Sequence, residues 1–351
     1  RALWKHIMNV SLPDIKRNYD KLNVEFDLWK GESDVQYLIP GMVEKFKEEG
    51  FAHESEGALV VDVKEETDTK EIPPCIILKS DGASLYSTTD LATIEERMEK
   101  YHPDTLIYIT DKRQAMHFEQ VFRCARKTGL VEPETRLVHI GYGTVNGSDG
   151  KPFKTREGGV PRLEKLIEEI DDEMYRKIRE SRRELSDEEA RKTADIVGLA
   201  ALKYGDLSNQ AAKDYVFDVD RFTSFEGDTG PYILYTIVRI KSILEKYVQQ
   251  GGSLEGLSIL PAQNPDEKAL MLEISGFQSM IAGAEKELAP NRVCAYIYDL
   301  SNAFNRFYHE TKIIAEEDET RKAGLIALLM LTKGVLEDCI DLLGFGAPDR
   351  M

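Results

Sequence analysis

The 351-residue sequence is poor in cysteine, in tryptophan and in long apolar runs. Its four cysteines, Cys75, Cys124, Cys294 and Cys339, have no paired spacing. That excludes a disulfide framework or a cysteine zinc site and suits reduced thiols in the core of a cytosolic protein; no metal site is expected. No stretch is long and apolar enough to span a bilayer, so no membrane partner is expected. The most apolar one, from Gly324 to Ile340, is broken by Lys333, Glu337 and Asp338 and reads as a packed helix. Repeats, low-complexity tracts and a signal-peptide pattern are missing too. The sequence begins at Arg1 in mid-pattern, which raises the expectation of a fragment. Basic charge is in deficit: 46 Lys and Arg stand against 63 Asp and Glu, a net charge of −17. This excludes a non-specific nucleic-acid binder, which needs a basic surface, but leaves room for a local face that meets one folded RNA.

What is present is enough chain for two domains. Leu12 to Tyr19 reads as a helix start with Pro13 in the first turn, and Ile39 to Glu49 as a helix stopped by Gly50. Ala58 to Val63 and Pro74 to Lys79 are β-rich and fit a hairpin. Asp81-Gly82 marks a turn, and Leu85-Tyr86 a short strand. Thr88 or Thr89 is placed to cap a helix over Asp90 to Lys100. Strand Thr105 to Thr110, helix Gln114 to Lys127 and strand Leu137 to Ile140 follow. This alternation predicts a parallel α/β sheet. Beyond Val160 no strand is expected. Ile167 to Lys192 is a charged helical region, and Ser186 is placed to cap a helix through Lys203. Leu234–Gln249, Glu267–Glu287, Val293–Lys312 and Thr320–Leu343 predict four more helices of a bundle.

Three constellations could carry chemistry. The first is the loop from Asn146 to Gly159, which combines glycines with Lys151, Lys154 and Arg156. Glycine lets backbone N–H groups approach phosphate, and cations neutralise a leaving pyrophosphate. Taken alone, the loop fits a solvated basic hairpin equally well. In the second, Tyr86 and Asp90 lie where a strand meets a helix, and Gln114 has the equivalent place after the next strand. Ligands bind at such places in a doubly wound sheet, and a carboxylate there can pair with a guanidinium. Asp90 could instead only complement its helix dipole. In the third, Tyr232, Tyr235 and Arg239 share one helical face that could stack RNA bases or pack a core.

The motif G-x-D-G-K-P-F-K-T-R at Gly147–Arg156 resembles the arginyl-tRNA synthetase form of the class I signature loop. The patterns L-Y-x-T-x-D-L-A and I-Y-I-T-D-x-x-Q-x-x-H-F resemble that family's arginine pocket. The stretch from Phe225 to Arg239, with Ala295–Tyr308 and the final Arg350-Met351, resembles its anticodon-binding domain. The resemblance covers nearly the whole sequence in the family's order.

The resemblance implies the C-terminal half of a Rossmann-like class I catalytic domain over 1–165, then a helical anticodon-binding bundle over 166–351. It implies that Tyr86, Asp90 and Gln114 bind arginine. It assigns Gly143, Val145, Lys151, Lys154 and Thr155 to ATP. Lys151 and Lys154 would be the catalytic cations, and which of them does more stays open. Tyr232, Tyr235, Arg239, Tyr308 and Met351 would meet the anticodon loop of tRNA(Arg). His117 and Phe118 match the family's H-F pair, with packing as good a role as substrate contact. His139-Ile140-Gly141-Tyr142 imitates the H-I-G-H box, but it leads straight into the Lys151 loop and reads as a strand, with His139 structural. The true box is expected in an upstream part that this sequence lacks. The implied activity is ATP-dependent attachment of arginine to tRNA through arginyl-adenylate, with Mg²⁺ accompanying ATP. The enzyme is expected to be a cytoplasmic monomer, and this part alone to be inactive. A non-catalytic RNA-binding or regulatory protein on the same scaffold is the rival expectation.

Overall fold

The computed structural model describes residues 2–152 and 162–351. They form two compact units, Phe26–Thr144 with Ala211–Asp214, and Arg1–Glu25 with Val145–Gln210 and Tyr215–Met351.

The first helix, α1 (Ala2–Lys21), passes straight through Pro13, so the expected helix start at Leu12 is wrong. Proline's fixed φ suits a helix, and the price is one missing N–H donor. The carbonyl that loses this donor belongs to Asn9, which is exposed to water.

In the Phe26–Thr144 unit, α2 (Ile39–Glu48) ends before Gly50, whose φ of 75° only glycine adopts cheaply. The expected β hairpin is present as β2 (Ala58–Val61) and β3 (Cys75–Leu78), paired antiparallel. A strand not anticipated, β1 (Ala52–Ser55), adds to β2 through a two-residue turn at Glu56 and Gly57, both with positive φ. Its polar sequence hides it, but a turn of this left-handed kind matches strand twist.

Helix α3 (Tyr86–Tyr101) starts earlier than expected, and Leu85-Tyr86 is no strand. Neither Thr88 nor Thr89 stands at the cap. Thr88 sits inside the first turn, where its hydroxyl accepts from Leu85 N at 2.9 Å and donates to Ile77 O at 2.6 Å. Strand β4 (Thr105–Asp111), α4 (Ala115–Lys127) and β5 (Arg136–Tyr142) then form the expected crossover. β4 and β5 pair parallel from Thr105 opposite Arg136 to Asp111 opposite Tyr142. Phe46, Ile77, Leu91, Ile94 and Val121 pack the core fully buried. All four cysteines of the chain are free and buried, as expected.

The second unit is mainly helical. The segments β6 (Val145–Asn146) and β7 (Tyr215–Val216) pair parallel, which corrects the expectation of no strand beyond Val160. Two residues are too few to show a period. Between them lie α5 (Leu163–Ser181) and α6 (Asp187–Leu207). Ser186 caps α6 as expected, and Glu189 returns a hydrogen bond to Ser186 N at 2.9 Å. The short α7 (Val219–Phe222) precedes α8 (Gly230–Gln249). The single helix expected over Glu267–Glu287 is two, α9 (Pro265–Ser275) and α10 (Phe277–Glu287), broken at Gly276. At the break Glu273 O accepts from Gly276 N at 3.0 Å and also from the Tyr296 hydroxyl at 3.0 Å, which adds a tertiary hydrogen bond. Helices α11 (Pro290–Glu310) and α12 (Glu319–Leu342) complete the bundle. No described helix is long and apolar enough to cross a membrane.

One ion pair lies inside the bundle. Arg321 on α12 donates to both carboxylate oxygens of Glu267 on α9, at 2.7 and 2.5 Å, with both side chains buried. Burial alone raises the Glu267 carboxyl, but Arg321 and the Gln263 N–H outweigh it and hold it below its ordinary value. The stabilisation is therefore present at neutral pH and fades as pH falls through the carboxylate range. Arg321→Met should cost about 3–5 kcal/mol in denaturant melts, because it strands a buried charge. Adding Glu267→Leu should recover most of that loss, and no recovery would mean that the pair is not what holds these helices.

Candidate active site and nucleic-acid interface

The carboxyl ends of β4 and β5 are where a parallel sheet leaves its loops free to hold a ligand. A cavity of about 1010 Å³ lies beside them, and Tyr86, Asp90 and Gln114 all line it. Tyr86, on the first turn of α3, is 71% exposed. Asp90, one turn further, is held by His117 of α4, whose Nε2 lies 2.6 Å from its Oδ2.

Several of the cavity's other charges are already engaged. Arg113 donates from Nε, NH2 and its backbone N to Asp111, which holds the Asp111 carboxyl down to about 2. Lys100 and Lys30 hydrogen-bond the buried Glu96 and hold its carboxyl down to about 2. The Arg97 guanidinium lies 5.2 Å from the centre of the Tyr108 ring. Burial pushes the Tyr108 hydroxyl up to about 12, against the opposing pull of the Arg97 guanidinium.

His139 is placed as a structural residue. Its Nε2 lies 2.8 Å from Thr110 Oγ1, and its ring stacks on Phe118 at 4.7 Å. Burial first, and then the nearby His117, lower its proton affinity. Gly143 sits where two backbone segments cross. Its N–H donates to Ala211 O at 2.8 Å, and a Cβ there would lie 2.3 Å from Lys213 O. Beside it, Asp214 accepts from Thr144 N and from Lys112, each at 2.7 Å.

In the other unit, Val145 spends its backbone in the β6–β7 pair. Lys151 is exposed, at the end of a turn closed by Gly147 N to Lys151 O at 2.9 Å, and its N–H is held by Asp149. Lys154, Thr155 and Arg156 lie outside the described residues.

The expected face on α8 exists and is tied to α11. Tyr232 donates its hydroxyl to Asn302 at 2.7 Å and accepts from Asn305 at 2.9 Å. Arg239 donates to Asn305 Oδ1 at 2.6 Å and lies over the rings of Tyr235 and Tyr308, at 4.7 and 5.2 Å. Tyr235 is 41% exposed, whereas Tyr232 and Tyr308 are half-buried. Met351 is placed differently, 6% exposed within the bundle core. Its main-chain oxygen accepts from Arg182 Nε and NH2 at 2.9 and 2.7 Å.

A family model described as tRNA synthetases class I (R), catalytic domain, matches residues 1–219, and one for the DALR anticodon binding domain matches 233–351. The chain belongs to the class I arginyl-tRNA synthetase family. It is 66% identical to the arginine–tRNA ligase of Agathobacter rectalis and 54% identical to that of Alkaliphilus oremlandii. Each match covers all of this chain but only 60% and 59% of the relative, so the chain spans about three-fifths of their length. Among solved structures it is similar to the arginyl-tRNA synthetases of Plasmodium falciparum (TM-score 0.85, 24% identity) and Thermus thermophilus (TM-score 0.86, 23% identity). These cover 99% and 100% of this chain and 58% and 65% of theirs, and they show the same fold. The fold class read from the sequence, α/β followed by all-α, is the one found.

Asn302, Asn305, Asp111 and Glu96 were not singled out by sequence reasoning. The two asparagines had a usable signal, since they lie three residues apart and share a helical face between Tyr298 and Tyr308. Asp111 stands in the I-Y-I-T-D pattern and Glu96 is four residues from Lys100 on one helix, so both had local signals; the contact of Glu96 with Lys30 had none. The Gly143 crossing is directly testable. Gly143→Ala should lower stability by about 1–3 kcal/mol, since backbone must move to admit the methyl group. A chemical melt unchanged from the parent would contradict the close approach.

Proposed function

We propose that this chain is part of an enzyme that attaches arginine to tRNA(Arg) at the expense of ATP. The catalytic part takes in 1–165 and the anticodon-binding part 166–351. Arginine's carboxylate attacks the α-phosphorus of ATP to give arginyl-adenylate, and pyrophosphate leaves. A hydroxyl of the tRNA's terminal ribose then takes the arginyl group and AMP departs. The observation that carries this reading is the convergence of Tyr86, Asp90 and Gln114 on one cavity. Asp90 supplies the negative charge that a guanidinium needs, Gln114 an amide oxygen and Tyr86 a ring face. Gly143 and Val145 border the proposed nucleotide site, and Lys151, Lys154 and Thr155 serve the phosphates, with Mg²⁺ entering on ATP. The buried free thiols suit a reducing cytoplasm, and we take the enzyme to act as a monomer. Because relatives are longer, these residues alone are not expected to complete the adenylation site.

Asp90→Asn, in an enzyme of the relatives' full length carrying this sequence, should raise the KM for arginine by the equivalent of about 2–5 kcal/mol and leave that for ATP nearly unchanged. Pyrophosphate exchange measures both, and equal effects on the two substrates would remove Asp90 from the pocket.

Tyr235, Arg239, Tyr308 and Tyr232 form the proposed anticodon surface, while Met351, expected there from the resemblance, is buried in the bundle core and is not proposed as a contact. The most exposed ring, Tyr235, separates recognition from packing. Tyr235→Ala should weaken tRNA binding by about 1–3 kcal/mol if a base stacks there, while melting shifts by no more than about 0.5 kcal/mol. Tyr232→Ala should cost stability as well, because its hydroxyl joins Asn302 and Asn305. Unchanged tRNA titrations for Tyr235→Ala would refute the RNA surface.

A further inference from the structure

We infer that His117 is a positioning residue for the substrate guanidinium, acting through Asp90. This rests on the proposed arginine pocket and goes beyond it. An ionised carboxylate can only accept hydrogen bonds, so the 2.6 Å contact requires His117 Nε2 to carry the hydrogen. The contact occupies one lone pair of Oδ2 and fixes the carboxylate's rotation, leaving Oδ1 and the remaining acceptor positions for a forked guanidinium.

The ring is itself oriented by packing. It meets Phe118 edge-on at 5.0 Å and 80°, and Phe118 stacks on His139, which is hydrogen-bonded to Thr110. The row of rings thus ties Asp90 on α3 to β4 and β5.

The need for such a device comes from the cavity's own cations. Arg97 and Arg113 both line it, and either could capture a free Asp90 and compete with substrate arginine. Arg113 is instead clamped by Asp111 and Arg97 is placed over Tyr108. His117 completes the arrangement from the carboxylate's side. It restrains Asp90 with an imidazole N–H rather than a second guanidinium, so the site meets its ligand ordered in advance.

The test uses an enzyme of the relatives' full length with tRNA present, and compares three variants by pyrophosphate exchange. His117→Phe keeps a ring against Phe118 and loses the donor. His117→Gln places an amide N–H near the former Nε2. Asp90→Asn controls for the pocket itself. His117→Phe should raise the KM for arginine about tenfold, the worth of roughly one charge-assisted hydrogen bond. Its kcat and KM for ATP should stay within about twofold, and His117→Gln should return to within about threefold of the parent. Should His117→Phe melt early, His117→Asn replaces it, since its shorter amide cannot reach Asp90. An arginine-specific effect of Asp90→Asn with none for His117→Phe overturns the inference and spares the pocket. So does equal impairment of the Phe and Gln variants. If Asp90→Asn itself shows no arginine-specific effect, the pocket reading falls and takes this inference with it.

Discussion

The parallel pairing of β4 and β5 is the constraint on which the candidate active site depends. Its register sets Thr110 opposite Gly141 and Asp111 opposite Tyr142, so both strands end together and their following loops share one edge. At that edge each chain must turn at once. β4 does so through Asp111, whose carboxylate accepts from Arg113 N at 2.8 Å and starts the turn into α4. That turn brings Gln114 and His117 to the cavity. β5 passes so close to the same turn that a Cβ on Gly141 would lie 2.7 Å from Lys112 Cα. The glycine is required by proximity of backbone to backbone, because its φ is unremarkable. Loosening the register by one residue would reverse the faces of Tyr108 and Thr110 and dismantle the cavity wall.

The second theme is how an acidic chain treats its cations. A net charge of −17 describes the whole surface and says little about any one site. Of the residues lining the cavity, Arg113 and Lys30 are each matched to a carboxylate, Asp111 and Glu96, while Asp90 is matched to an imidazole. Asp90, beside Tyr86 and Gln114, thus has no lysine or arginine bound to it among the described residues. On the α8–α11 face the logic is different. Arg239 is held by an amide oxygen and two rings, with no carboxylate bound to it among the described residues.

Much of the architecture was determined by the sequence alone. The hydrophobic period of β2 to β5, α2, α4 and α8, the Ser186 cap and the Gly50 stop act within a turn or two of chain, so local reading suffices. Order and spacing of Tyr86, Asp90 and Gln114 left a helix-dipole role open for Asp90, and it was the resemblance to arginyl-tRNA synthetases that implied one pocket. Only the tertiary structure could decide what lies between distant residues. It joined His117 to Asp90 across 27 positions, Arg239 to Asn305 across 66 and Arg182 to Met351 across 169. It carried α1 through Pro13, where the carbonyl left without a donor is solvated, began α3 at Tyr86, where Thr88 also reaches Ile77 O, and split the helix at Gly276, where the Tyr296 hydroxyl reaches Glu273 O. Hydrogen bonds reach about 3 Å in space whatever the separation along the chain. Local propensity cannot see such partners, and that is why the elements were legible while their connections were not.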